Sequence, residues 1–351
     1  MALPVLPRPQ TRFDLAAELE ATLPAERRGL ARDGVRLLAA RADGVSHHHF
    51  ADLPHLLGAG DLVVVNTSAT LPAALTGRTA DGRTALVHVS GWLDSSTWIV
   101  ELRRADNRGA DPSVRRGDVV HLPGGATLRA AQPHPDPAAP IARLWQVVVT
   151  PSTELVDYLR AHGRPIVYSH RGGGLPLSDH QTVYADQPGS AEMASAGRPF
   201  TPELLVRLMS AGVTVAPLTL HSGVSSPEFH EPPASERYSV PESTAGLVMA
   251  TRAAGKRVVA VGTTVVRALE TVADDDGGVR GASGWTDLLL GPNRPPRVVS
   301  GLVTGLHLPE SSHLLLLEAV AGAALVGAAY TAALEGRYLW HEFGDSMLLL
   351  P

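Results

Sequence analysis

Lys256-Arg257-Val258-Val259-Ala260-Val261-Gly262-Thr263-Thr264-Val265-Val266-Arg267-Ala268-Leu269-Glu270 is the stretch around which the chain is organised. Val258–Val261 is short, wholly apolar and mostly β-branched, the pattern of a strand covered on both faces. Gly262 breaks the run, and Thr263 or Thr264 is placed to cap a following helix by accepting a backbone N–H. Val265, Leu269 and Val272 recur at i, i+4 and i+7 and form the expected buried stripe of that helix. Arg267 and Glu270 stand three apart on its other side. A strand ending in Gly-Thr-Thr at a helix start gathers free N–H groups, two hydroxyls and a guanidinium, which suits a carboxylate or phosphate. The plainer alternative is a strand-to-helix turn with a surface Arg–Glu pair.

Outward from this stretch, the chain is 351 residues long, 44% hydrophobic and 19% charged, which allows two units and a large core. The formal net charge of -5 announces no dominant nucleic-acid stripe. Lys256 is the only lysine, so the basic residues are almost all arginine, a bias of coding rather than of phosphate binding. With no cysteine, disulfides, thiolate nucleophiles and Cys-ligated zinc are excluded. Met1–Gln10 has no basic-then-apolar signal pattern, so a cytoplasmic address is expected. Leu314–Tyr330 is a long apolar tract, but it contains Glu318, and Ser311-Ser312 offers N-caps. It reads as one core helix rather than a membrane span.

Before the central stretch, Asp14 is placed to cap a helix over Leu15–Ala21, and Arg36–Ala40 and Val45–Phe50 read as strands around Asp43-Gly44. The run His47-His48-His49 lies on the second of these. Adjacent strand residues point to opposite faces, so a surface strand is expected there and no metal site. Leu53–Leu57 is a short helix and Leu62–Val65 a buried strand ending at Asn66-Thr67-Ser68. Residues 76–150 change character. Thr84–Val89, Thr97–Leu102, Val119–Leu122, Thr127–Ala131 and Leu144–Val149 are short β-rich runs separated by turn residues. Such spacing without helices predicts a small antiparallel barrel or sandwich inserted in an α/β chain.

After it, Ser152 or Thr153 caps a helix over Glu154–Ala161, and Gly172-Gly173-Gly174 lacks the Lys-Ser/Thr of a phosphate loop. Thr201 caps a helix from Pro202 to Ala211 that Gly212 closes. Val213–Leu220 is a strand ending at His221, and Arg297–Val303 a strand ending at Thr304. Asn66, His221, Thr263-Thr264 and Thr304/His307 thus follow four strand ends. Jointly they point to one pocket at the carboxyl edge of a sheet.

At these residues the sequence resembles a known family, the S-adenosylmethionine:tRNA ribosyltransferase-isomerases of queuosine biosynthesis. The matching stretches are Gly60–Asn66, Gln181-Thr182-Val183-Tyr184-Ala185, Thr219–Gly223, Val261–Glu270, Gly284-Trp285-Thr286-Asp287, His307-Leu308-Pro309 and Gly344-Asp345-Ser346-Met347. They occur in family order over nearly the whole chain. The resemblance implies a mixed-sheet α/β body formed by residues 1–75 and 151–351, carrying an inserted β-barrel over 76–150. It implies that S-adenosylmethionine is the substrate, with no separate cofactor and no metal. Its ribosyl part is transferred and isomerised onto the aminomethyl group of a 7-deazaguanine in tRNA. Adenine and methionine leave, and an epoxycyclopentane product remains. No membrane partner is implied.

The sulfonium acidifies the neighbouring C5′ hydrogens, so a neutral histidine within reach suits the opening step, and the methionine carboxylate calls for a cation or helix-terminal N–H groups. Carried over by resemblance, His221 or His307 is the expected base and Asp345 an orienter or amine partner. Thr263, Thr264 and Arg267 form the expected anion clamp. Asn66, Gln181, Thr182, Tyr184, Ser195, Gly197, Gly262 and Thr304 complete the expected substrate pocket. Several positions depart from the family. Its block Ala-Pro-Thr-Ala-Gly-Leu-His-Phe-Thr reads Met193–Thr201 here, and its histidine is Pro199. Its Asn-Asp-Thr-Arg reads Asn66-Thr67-Ser68-Ala69, the tyrosine before Gln-Thr-Val-Tyr is His180, and a His-rich stretch is shortened to His230–Arg237. These departures leave open a relative that uses the same donor with another acceptor, or a non-catalytic S-adenosylmethionine or RNA binder.

Overall fold

Val258–Val261 is the middle strand of a nine-stranded sheet in the computed structural model, which describes residues 7–139, 142–168, 174–225 and 234–351. Gly172-Gly173 and the first residues of the shortened His-rich stretch lie outside these.

The first elements are β1 (Arg36–Arg41), β2 (Gly44–His49), α1 (Leu53–Leu56), β3 (Leu62–Asn66) and β4 (Ser68–Thr70). Six strands follow: β5 (Ala74–Thr79), β6 (Thr84–Asp94), β7 (Thr97–Arg103), β8 (Val119–His121), β9 (Thr127–His134) and β10 (Leu144–Thr150). Then come α2 (Leu155–His162), β11 (Gln187–Ser190), α3 (Pro202–Ser210), β12 (Thr214–His221), β13 (Glu236–Val240) and α4 (Glu242–Ala253). The chain ends with β14 (Val258–Val261), α5 (Thr263–Thr271), β15 (Ala282–Thr286), β16 (Gly301–Gly305), α6 (Ser312–Ala321), α7 (Ala323–Glu335) and β17 (Ser346–Leu350).

The large sheet has the order β15-β13-β12-β3-β14-β16-β17-β1-β2. β12, β3, β14 and β16 are mutually parallel, whereas β17 runs antiparallel to β16. Apolar strands covered on both faces explain why all of β3, β14 and β17 is buried. One core, with α4 to α7, covers one face, and a second, with α1 and α3, covers the other. The six strands from Ala74 to Thr150 close into an antiparallel barrel in the order β10-β7-β6-β5-β8-β9, so the expected β unit is a barrel and not a sandwich. Its apolar core reaches beyond the strands to Leu155, Tyr158 and Leu159 of α2. Gly77 permits closure, since a Cβ there would lie 2.7 Å from the carbonyl oxygen of His121.

Several local expectations are corrected. Leu15–Ala21 is not a helix. Only Ala17–Leu19 makes a 3-10 turn, because the chain is drawn alongside Trp340 by Ala21 N to Trp340 O and Trp340 N to Leu19 O. Neither Ser152 nor Thr153 caps α2, whose N-cap is Glu154. The strand expected over Arg297–Val303 begins only at Gly301, because the Glu270 carboxylate takes the N–H groups of Arg297, Val298 and Val299. The apolar tract is two helices bent by 117° at Gly322, whose φ of 79° ends α6 in a conformation that favours glycine. Glu318 accepts from the N–H groups of Gln10 and Thr11, which explains a carboxylate in so apolar a helix. No single described helix is long and apolar enough to cross a membrane. On β2, His47 Nδ1 meets Tyr338 Oη at 2.9 Å and His48 Nε2 meets Ser46 Oγ at 2.8 Å.

Candidate active site

The parallel run of β12, β3, β14 and β16 puts their carboxyl ends on one edge, bringing Asn66, His221, Gly262 and Thr304 together there. The antiparallel β17 adds its amino end, with Ser346 opposite Gly305.

Asn66 is the staple of this edge. Its Nδ2 donates to Leu220 O at 2.8 Å and to Thr264 Oγ1 at 3.2 Å, while its Oδ1 accepts from Ser68 N and Leu220 N, both at 3.0 Å. All its hydrogen-bonding capacity on these atoms ties β3 to β4, to β12 and to the start of α5. The expected threonine cap is absent. Gly262 is the N-cap of α5, at φ 90°, and no side chain caps the helix. A left-handed glycine turns the chain so sharply that Gly262 O itself accepts from Val265 N at 3.2 Å.

His221, the last residue of β12, hydrogen bonds through Nδ1 to Ser68 Oγ at 2.7 Å. Ser68 Oγ in turn meets Ser190 Oγ at 2.6 Å, and Ser190 Oγ accepts from Ser222 N at 3.0 Å. Gly189 leaves room for the ring, since a Cβ there would stand 2.2 Å from His221 Nδ1. Burial, and then the charge of Arg237, lower the imidazole pKa to about 4, so it is neutral at pH 7. It lines a cleft of about 400 Å³ between the barrel, which contributes Trp92 and His134, and the sheet body, which contributes Arg237 and Trp285. The Arg237 guanidinium lies over the Trp92 ring at 4.7 Å, and Trp285 is 46% exposed. The aromatic and guanidinium lining suits an unstacked nucleobase.

His307 is more enclosed. Its Nε2 meets Thr304 Oγ1 at 2.9 Å, and its ring stacks on His313 with centroids 4.7 Å apart. Burial, then His313, hold its pKa well below the ordinary value. His313 is itself exposed and hydrogen bonds through Nδ1 to Ser311 Oγ at 3.0 Å.

Arg267 and Glu270 differ from both sequence readings. They are 6% and 1% exposed, and neither bonds the other. Arg267 pairs with Glu236, and donates to Leu288 O and Thr286 O, both at 3.1 Å. Its charge is therefore spent inside the body rather than presented as an anion clamp. Glu236 also accepts Gly223 N at 3.0 Å, so Arg267 supports the His221-Ser222-Gly223 turn from behind. Asp345, 4% exposed, likewise has its carboxylate occupied, by Arg36 N, Arg36 Nη2 and Leu339 N, each at 2.8 Å. It locks the start of β17 to β1 rather than standing free as an orienter.

Gln181 is a clamp on β4, accepting Thr70 N at 2.9 Å and donating to Thr70 O at 2.8 Å. The Thr182 and Tyr184 hydroxyls are buried without a partner. Gly197 sits against them, since a Cβ there would be 2.0 Å from Tyr184 Oη and 3.2 Å from the Thr182 methyl. Ser195 and Gly197 form a 3-10 turn that packs on the end of β16. Two buried hydroxyls with unmet capacity beside a glycine form a polar niche. A second cleft, of about 310 Å³, opens next to Ser195, with Arg32, Arg198, Pro199, Gly305 and Glu342 on its walls. The segment from Gly189 to Pro199 thus runs from one cleft to the other.

Sequence reasoning missed Ser68, Ser190, Glu236, His313, Trp92 and Glu342. Ser68 closed the polar strand end Asn66-Thr67-Ser68, and His313 lies one turn after His307-Leu308-Pro309, so both carried a positional signal. Glu236 and Trp92 carried none, because their partners are distant in the chain.

The profile of the family described as "Queuosine biosynthesis protein" matches residues 9–349. A relative from Symbiobacterium thermophilum, named S-adenosylmethionine:tRNA ribosyltransferase-isomerase, is 37% identical over 369 aligned positions, covering 96% of this chain and 98% of its own. One of the same name from Natranaerobius thermophilus is 34% identical, with 96% and 97% covered. The crystal structure of S-adenosylmethionine tRNA ribosyltransferase from Thermotoga maritima is similar with a TM-score of 0.53 at 28% identity, over 97% of this chain and 99% of that one. The sheet with its inserted barrel, the strand-edge constellation and these full-length matches lead to one conclusion: the chain belongs to the queuosine biosynthesis family of S-adenosylmethionine:tRNA ribosyltransferase-isomerases.

Proposed function

We propose that this chain is an S-adenosylmethionine:tRNA ribosyltransferase-isomerase. It transfers and isomerises the ribosyl part of S-adenosylmethionine onto the 7-aminomethyl-7-deazaguanine of tRNA, with release of adenine and methionine. The observation that carries the reading is a neutral imidazole, His221, oriented by Ser68 and facing a cleft between barrel and body in a chain that matches the family over residues 9–349.

In this reading His221 is the base that takes a C5′ proton made acidic by the sulfonium. Ser68 accepts or donates at Nδ1 and so leaves Nε2 for the substrate. An unstacked base of the tRNA fits beside Trp92, Trp285 and Arg237, since aromatic faces and a guanidinium plane are the usual partners of a splayed-out base. The Thr182 and Tyr184 hydroxyls and the start of α5 at Gly262-Thr263-Thr264 suit the polar groups of the donor. His307, Thr304 and Arg267 form the layer behind. The reaction calls for no cofactor beyond S-adenosylmethionine, which is consumed as substrate, and the site of action is the cytoplasm, where tRNA is modified.

The test is incubation of the purified protein with S-adenosylmethionine, with and without tRNA bearing the aminomethyl base. Adenine release only with that tRNA supports the reading. Release with an unrelated acceptor points to a divergent relative, and binding without any release removes the enzymatic reading altogether.

A further inference from the structure

Pro199 stands where the family block has histidine, so that position carries no titratable group. The wall of the same cleft bears Glu342, which is none of the family-matched residues. Among the described residues no hydrogen bond or ion pair engages the Glu342 carboxyl. The charged groups around it are committed elsewhere. Arg198 pairs with Glu26 at 3.0 Å and donates to Asp179 O at 2.9 Å, and Arg32 pairs with Glu26 at 3.0 Å. Asp345 is held by Arg36 at 2.8 Å. From the segment between the two clefts, Glu192 is near enough for its charge to be felt at Glu342. It accepts the Tyr168 hydroxyl and, at 2.8 Å, Ser225 N. The preceding residue, His341, lies on the same cleft and is held at φ 80°, a conformation that non-glycine residues adopt at a cost and that clusters at functional sites.

Burial, and then the negative charge of Glu192, raise the Glu342 pKa to about 8. Glu192 is itself shifted upward by burial. A half-buried carboxyl with no partner among the described residues, close to a second carboxylate, holds its proton to higher pH than a free one. No described residue claims its O–H, and the side chain lies on a cleft at the carboxyl edge of the sheet.

We propose that Glu342 is the proton donor to the departing adenine, supplying from the wall of the cleft the proton-carrying group that Pro199 cannot. The proposal rests on the ribosyltransferase-isomerase reading. The base removes a C5′ proton, and that electron pair becomes the C4′–C5′ double bond as C4′–O4′ breaks. The C4′–O4′ pair forms the O4′–C1′ double bond as C1′–N9 breaks, and the C1′–N9 pair leaves on adenine. Adenine would depart as an anion; one proton from Glu342 neutralises it and leaves Glu342 as carboxylate. No oxidant or reductant is required.

The experiment compares wild type and Glu342→Gln for adenine release, with S-adenosylmethionine and tRNA bearing the aminomethyl base, from mildly acidic to alkaline pH. Donation requires the acid form, so wild-type kcat falls as pH rises through about 8. In Glu342→Gln, kcat drops by about 100-fold or more and that alkaline fall disappears, while calorimetry gives an S-adenosylmethionine affinity within about threefold of wild type. A variant with kcat within about threefold of wild type, or with the alkaline fall unchanged, overturns the proposal alone. A wild type that binds S-adenosylmethionine but releases no adenine overturns the activity reading, and the proposal with it. Should Glu342→Gln not fold, carbon-13 NMR of the wild-type carboxyl decides, with the resonance assigned by its displacement in Glu342→Asp. A midpoint near 8 supports the assignment, and one in the ordinary carboxylate range overturns it.

Discussion

Replacing Arg267 with alanine tests whether this residue holds a ligand or holds the protein. Its guanidinium is 6% exposed, pairs with Glu236 and donates to the carbonyls of Leu288 and Thr286. Removing one partner of such a buried pair leaves the other charge uncompensated, at a cost of about 3–5 kcal/mol. The Glu236 side chain is 13% exposed, so water relieves little of this. An unfolding entropy of about 2.1 cal/mol/K per residue over 351 residues converts that cost to a Tm drop of about 4–7 °C. S-adenosylmethionine affinity should change by less than about tenfold, since no donor of Arg267 faces either cleft. Arg267→Ala combined with Glu236→Gln should recover part of the loss, because the stranded charge is gone. The measurements are thermal unfolding and calorimetry on the same preparations. A Tm within about 1 °C of wild type, together with an affinity loss above about tenfold, would refute the reasoning and return Arg267 to the ligand.

His221→Gln should lower adenine release by about 100- to 10,000-fold in a folded protein, whereas His307→Gln costs less. Equal rates in both variants would remove the acid–base assignment. Gly189→Ala puts a methyl 2.2 Å from His221 Nδ1, so it should displace the ring from Ser68 and reduce kcat with little change in S-adenosylmethionine affinity; an unchanged kcat would mean that ring position is immaterial. Acid should remove stability at the buried histidines. His88 is held at about 3 and His221 at about 4, against 6.5 for the free side chain. Such depressed groups contribute stability that is fully present above pH 6.5 and is lost as pH falls toward 4, because only the unfolded chain takes up the protons. His88→Gln should lose less urea stability than wild type between pH 7 and pH 5, with the opposing contribution of Glu342 common to both; an equal loss would contradict this.

How much of this was legible in the sequence depended on distance along the chain. Val258–Val261 and Leu62–Val65 read correctly because β-branched runs bounded by glycine and polar residues report burial locally. Thr201 capped its helix as expected, accepting Leu204 N at 3.0 Å, since a cap involves only near neighbours. The Arg267–Glu270 spacing misled because each found a stronger partner far away, Glu236 for one and the backbone around Val298 for the other. Helix-surface pairing is worth a few tenths of a kcal/mol, and a buried carboxylate accepting three N–H groups outweighs it. The bend at Gly322 was hidden because an apolar tract has no periodicity in which a change of direction would show. Strand β13 was missed, since Glu236-Arg237-Tyr238-Ser239-Val240 joins the sheet only through pairing with β12 and β15.

The two histidines that sequence could not separate are separated by their surroundings. Both are neutral at pH 7, so charge state does not choose between them. They follow β12 and β16, three strand positions apart, or about 14 Å across the sheet edge. One substrate carbon cannot meet both. His307 spends Nε2 on Thr304, lies stacked on His313 and has its backbone fixed by Tyr330 and Trp340. His221 spends Nδ1 on Ser68 and stands on the cleft that barrel and body share. A base must reach its proton, and a ring aimed into a cleft by one hydrogen bond does so with its other nitrogen. On the function proposed above, proton abstraction falls to His221 at the barrel-side cleft. With Glu342 on the other cleft, the two ends of the reaction, proton removal at C5′ and proton delivery to adenine, fall on either side of the Gly189–Pro199 segment. An extended donor laid along the sheet edge is the arrangement that lets both groups act on one molecule.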